Sequence, residues 1–87
     1  MLVKCHNSDG FIGYSFSHDG YFRGGAHQRI YSADTAKECS AECTSGGSSC
    51  VAFQFRDNRN ACWTYSDTGT GIGTVTGDVA YVKCMGN

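Results

Sequence analysis

Six cysteines and three histidines are the residues of this 87-residue chain whose side chains could form covalent bridges or bind a metal. Zinc needs close ligand pairs such as C-x2-C, and none is present. The nearest spacings are Cys39-x3-Cys43 and Cys43-x6-Cys50, and His6, His18 and His27 stand at no ligand spacing from one another. The alternative is three disulfides. Cys43 and Cys50 bracket a short Gly/Ser turn and make natural partners. Cys39, one turn back, can reach Cys62 on the next strand, which leaves Cys5 and Cys84 near the two ends. The nested set is therefore Cys5–Cys84, Cys39–Cys62 and Cys43–Cys50. Cysteines spent in this way cannot act as thiolate nucleophiles. There is no nucleophile elbow, Asp57, Asp67 and Asp78 all read as loop residues, and Asp57-x-Arg59 breaks the EF-hand pattern. The chain is read as no enzyme, with no cofactor and no metal.

The second set of informative residues is aromatic, amide and cationic. On the strand around Cys62, that cysteine must face the helix that carries Cys39, so Trp63 and Tyr65 point to the opposite face. On the last strand Tyr81 and Lys83 share one face, with Ala80, Val82 and Cys84 on the other. Parity counted from Cys50 puts Phe53 and Phe55 opposite the helix, but Cys50 precedes the regular strand. With both phenylalanines inward, Gln54 and Arg56 join Trp63, Tyr65, Tyr81 and Lys83 in one cluster. Sugars need such a surface, because a ring covers the apolar C–H face of a pyranose while polar groups bond its hydroxyls. The competing reading is that N-terminal aromatics cover this face and make Trp63 and Tyr65 a second core layer. The hairpin tip offers Arg56, Asp57 and Asn58. A glycine-rich stretch, residues 19–29, offers His27, Gln28 and Arg29 as donors beside backbone that a ligand can approach closely.

These residues must be positioned by a small molecule. Seven basic and eight acidic residues give a net charge of −1, so no basic excess exists to draw the chain to nucleic acid. No apolar run approaches the roughly 20 residues needed to span a bilayer, so membrane insertion is not expected. Met1-Leu2-Val3 is too short for a signal peptide. We read residues 1–87 as a single domain cut from a longer secreted or surface protein. At this size burial and chain entropy nearly balance, and covalent staples are expected.

Thr35 with Glu38 three residues later forms a capping box, Ser45-Gly46-Gly47 stops the segment, and a helix is predicted over about residues 35–45. Its two cysteines are one turn apart on one face. Residues 51–56, 61–65 and 79–84 alternate as strands, and Asp57-Asn58-Arg59-Asn60 is a turn. In residues 1–31, short aromatic runs between glycines read as β-structure, with Asp9-Gly10 and Asp19-Gly20 as hairpin turns. Residues 66–78 read as a long exposed Thr/Gly loop. Their Gly69-x-Gly71-x-Gly73 lacks the strand-turn-helix context of a phosphate loop.

The succession Thr35-x-x-Glu38-Cys39-x-x-x-Cys43, Cys50-x-x-Phe53-x-Phe55, Cys62-x-x-Tyr65 and Tyr81-x-Lys83-Cys84, after a cysteine near the start, resembles a PAN/apple domain. Such domains occur in clotting zymogens, plasminogen-like proteins, plant receptor kinases and apicomplexan surface lectins, some of which bind galactose-type sugars. The resemblance covers essentially the whole chain, and its pairing of cysteines is the nested one. It implies a small disulfide-rich α+β fold: a curved antiparallel β-sheet cradling one α-helix, with a hairpin closing the other side. It also implies an extracellular module that binds a glycan or another extracellular protein. Thr64 stands where the family often has an aliphatic residue, which thins the core there.

Overall fold

The computed structural model describes Phe11 and residues 13–84. The elements in chain order are β1 (Tyr14–His18), β2 (Gly20–Arg23), β3 (His27–Ile30), α1 (Ala36–Ser45), β4 (Ala52–Arg56), β5 (Ala61–Tyr65), β6 (Gly71–Thr74) and β7 (Asp78–Lys83). Five strands form one antiparallel sheet in the order β1-β7-β4-β5-β3, and β2 and β6 form a separate two-stranded sheet.

The helix forms where its cap dictates. Thr35 Oγ1 accepts from the Glu38 amide at 3.1 Å, and Glu38 reaches back to accept from the Asp34 amide at 2.7 Å. The Gly46 amide bonds the Glu42 and Cys43 carbonyls, and Gly47 follows at φ 60°. The Lys83 ammonium then donates to the Gly47 carbonyl at 2.8 Å and the Cys43 carbonyl at 3.3 Å, a cation placed where the helix dipole favours one. Only Cys39 and Cys43 of α1 are buried, so the helix has no broad apolar stripe. Sulfur replaces it. Cys39 is joined to Cys62 and Cys43 to Cys50. Tyr14 adds a polar tie, its hydroxyl lying 3.2 Å from the Ser40 carbonyl and 3.0 Å from Thr44 Oγ1. Cys84 is likewise disulfide-bonded, and its expected partner Cys5 lies outside the described residues. The expected Asp9-Gly10 turn lies outside them as well.

Register sorts the sheet into two faces. Phe53 pairs with Thr64 and Tyr81, and Phe55 with Cys62 and Val79, on the helix face. There Phe53 stacks on Tyr81 at 5.1 Å and meets Tyr14 edge-on at 5.1 Å. The other face carries Ala52, Gln54, Tyr65 and Ala80 under Phe22 of β2, which makes a second, smaller core. The chain thus has two layers over one sheet: a helix on one side and the β2–β6 pair on the other.

Three expectations are corrected. Residues 66–78 are not one exposed loop, because Gly71–Thr74 pairs with β2 and Gly73 is buried. Asp19-Gly20 does not close a hairpin. It is the corner at which the chain leaves β1, whose partner is β7, and enters β2, whose partner is β6. Gly20 has φ 145°, and a Cβ there would overlap the Gly73 carbonyl. Asp78 is not a loop residue: it opens β7 and is 1 % exposed.

Candidate functional site

Trp63 is the half-buried centre of the face opposite the helix. Strand alternation brings it there with its cross-strand partners, Gln54 of β4 on one side and Arg29 of β3 on the other. Two positions along β3 from Arg29, on the same face, is His27. The Arg29 guanidinium lies over the Trp63 ring at 5.2 Å and over the Tyr31 ring at 4.6 Å, and the Arg56 guanidinium lies over Trp63 at 5.1 Å. A cation–π ladder therefore crosses three strands.

Beneath the ladder is a buried hydrogen-bond chain. The Tyr65 hydroxyl donates to Gln54 Oε1 at 2.6 Å, and Gln54 Nε2 donates to Asp78 Oδ2 at 2.6 Å. Arg56 grips the same carboxylate with two N–H groups, to Oδ1 at 2.8 Å and Oδ2 at 3.0 Å. The hydrogen bonds to Asp78 push Arg56 further toward its charged form. Burial pushes the Tyr65 hydroxyl up, against a lowering contact from the Phe22 amide. No buried side-chain oxygen or nitrogen among the described residues is left without a partner. The chain fixes Gln54 and Arg56 in single orientations, which is what a preformed binding surface requires.

The β2 side of the cleft is set by glycines. A Cβ on Gly25 would meet the Asp67 carbonyl at 2.5 Å and the Tyr65 ring at 3.0 Å, so only glycine lets residues 24–25 lie against residues 67–69. The space left between β2 and the sheet is a cleft of about 400 Å³, lined by Tyr21, Phe22, Gly24, Gly25, His27, Gln54, Trp63 and Tyr65. His27 Nδ1 is 2.9 Å from the Gly25 carbonyl, so it must donate there, and in the neutral ring Nε2 is then an acceptor. A second opening of about 380 Å³ lies on the helix side, where half-buried Thr64 lines it together with Gln28, Glu42, Ser45 and Ser49. It has little aromatic surface.

The structure brings together two stretches that the sequence offered separately: Gln54, Trp63 and Tyr65 with the His27 segment. It divides the rest. Arg56 and Arg29 flank Trp63. Tyr65 lines the cleft but is 2 % exposed, buried under Phe22 as a core residue. Tyr81 and Lys83 are on the helix face, Tyr81 stacked on Phe53 and Lys83 at the end of α1, so they do not belong to the Trp63 cluster. Asp57 and Asn58 are exposed in the turn between β4 and β5 and do not line the cleft. The sequence reading included Tyr21 and Phe22 only within the stretch 19–29 and omitted Asp78 as a site residue. The signal for Asp78 was its parity: it is two positions before Ala80, on the face of Gln54 and Arg56.

Among the described residues, no group of His, Cys, Asp and Glu is arranged to hold a metal ion, and no helix is long and apolar enough to cross a membrane. Neither a curated protein nor a solved structure matches the chain. The family model described as "PAN domain" matches residues 5–84.

Proposed function

The chain belongs to the PAN domain family, and from that premise we propose that it is a lectin-like, carbohydrate-binding adhesion domain of a secreted or surface protein. Members of this family are in general modules that bind proteins or carbohydrates rather than catalysts, and disulfide-rich PAN domains are typical of extracellular proteins. The observation that carries the finer reading is the 400 Å³ cleft, in which the half-buried Trp63 ring meets the polar edge of the exposed His27. Aromatic surface takes the C–H face of a sugar, and the imidazole takes a hydroxyl. Exposed backbone at Gly24 admits a flat ring close to the chain.

The test is a glycan array followed by titration calorimetry on the isolated chain. Sugar-dependent binding is expected, and Trp63→Ala and His27→Ala each reduce it at least about tenfold, the loss of roughly one good aromatic or polar contact. Binding that both variants retain would place the sugar elsewhere. A chain with intact near-UV dichroism that binds no glycan would refute the reading.

A specific observation favours a second reading, docking onto a protein. Tyr31 is 80 % exposed and continues the Arg29–Trp63–Arg56 ladder beyond the cleft, and aromatic and arginine side chains are the usual hot-spot residues. A captured protein that free sugar does not displace would support it.

A further inference from the structure

We propose that the ligand of the Trp63 cleft is a saccharide bearing a single carboxylate, and that Arg29 is the group that receives it. This rests on the reading of the cleft as a sugar site and specifies the class of sugar. The argument begins with the two guanidiniums on Trp63, at 5.2 and 5.1 Å. They cover ring surface that a neutral pyranose would otherwise use. A sugar that profits from this arrangement must interact with the cations and not only with the indole.

The two cations are not equivalent. Arg56 spends its charge on Asp78, gripping both carboxylate oxygens. Arg29 is exposed and, among the described residues, has no acidic partner within 4.0 Å. It is nonetheless held in place, because its central carbon lies over the Tyr31 ring as well as the Trp63 ring. A guanidinium held by ring contacts alone still offers its fork of N–H donors to a ligand. That fork matches the two oxygens of a planar carboxylate, and the ring contacts reduce the ordering cost of using it.

Placement fits one sugar unit. His27 lines the cleft and is two residues from Arg29 on the same strand face. The strand rise sets their separation at about 6.6 Å, a span one pyranose covers from ring hydroxyl to carboxylate. The cleft lining itself contains no Lys, Arg, Asp or Glu. With Arg56 neutralised and a net charge of −1 on the chain, the site offers one anchoring charge and no run of cations for a polyanion.

The experiment is calorimetry on the intact chain with two matched pairs at low ionic strength: 3′-sialyllactose against lactose, and methyl galacturonoside against methyl galactoside, each acidic member carrying one carboxylate. The acidic member of at least one pair is expected to bind about tenfold more tightly, the scale of one charge-assisted bidentate contact. Arg29→Gln brings that ratio close to one, and Arg29→Lys restores only part of it. Lys37→Gln, an exposed change on the helix, leaves the ratio as it was. Equal affinity within both pairs overturns the inference and leaves the sugar site standing. A preference that survives Arg29→Gln overturns it as well. If no sugar of either kind binds, the sugar-site reading fails and this inference fails with it.

Discussion

Asp78 is the residue on which the face opposite the helix depends. It is 1 % exposed, and it answers both Gln54 and Arg56. Its removal leaves a buried amide N–H and a partly buried guanidinium unpaired, and such groups cost far more than the bond that held them contributed. Asp78→Ala should lower the unfolding free energy by about 2–4 kcal/mol in urea titration. It should also weaken sugar binding, since Arg56 loses the carboxylate that holds it beside the Trp63 ring. A variant as stable as the parent would show that the carboxylate is not what holds the network. Two tyrosines give a second prediction. Burial raises the hydroxyl pKa of Tyr14 and of Tyr65 above the ordinary value of about 10. Above that pH the unfolded chain gives up these protons while the folded chain still holds them. Stability is therefore complete below about pH 10 and declines as pH rises through the folded-state values. Alkaline unfolding followed by circular dichroism should show this slope, and Tyr14→Phe should flatten it. An identical slope in Tyr14→Phe and Tyr65→Phe would exclude the two hydroxyls as its source.

The cleft exists because β2 and β6 form a lid layer, and that layer depends on a backbone approach that only glycine permits. Gly20→Ala puts a methyl group into the Gly73 carbonyl at a φ of 145°. It should destabilise the chain by about 2–3 kcal/mol. Because the strain is confined to the lid, hydrogen exchange should rise in β2 and β6 before it rises in β4. Uniform loss of protection would mean that the two layers are not separable. The same elements show what could be read in advance. The capping box located α1 to within a residue, since Thr35 and Glu38 act locally. Strict alternation located β4 and β5, and the short Gly/Ser turn pointed to Cys43–Cys50. β6 was hidden because Gly71-Ile72-Gly73-Thr74 has no apolar alternation; its strand character comes from β2, fifty residues earlier in the chain. Tyr81 and Lys83 were placed on the wrong side for a related reason. Parity within β7 separates them correctly from Ala80 and Val82. Which face is which depends on the register Phe53↔Tyr81, a long-range pairing. The cleft was half legible: each of its two walls carried a signal, but only the fold sets them against each other.

At the scale of the whole molecule, two cores of modest size sit on opposite faces of one thin sheet, and the helix over the larger core buries little besides its two cysteines. Hydrophobic burial by α1 is therefore a weak source of stability, and the bridges must replace it. By chain entropy, the 23-residue separation of Cys39–Cys62 contributes about 3.5 kcal/mol and the 7-residue separation of Cys43–Cys50 about 2.5 kcal/mol. Either is a large share of the about 5–15 kcal/mol that stabilises a typical domain. The bridges also act on different parts of the structure. Cys43–Cys50 closes a turn that Gly46 and Lys83 already hold, whereas Cys39–Cys62 ties the helix directly to the strand that carries Trp63. Replacing Cys39 and Cys62 together by alanine should thus lower Tm more than replacing Cys43 and Cys50, and should also weaken ligand binding on the far face. Full reduction at 37 °C should abolish near-UV dichroism. The decisive comparison is between the two double variants by calorimetric melting. If the Cys43/Cys50 pair proves the costlier loss, loop entropy does not govern this fold, and the small turn at the end of α1 is its true fastening.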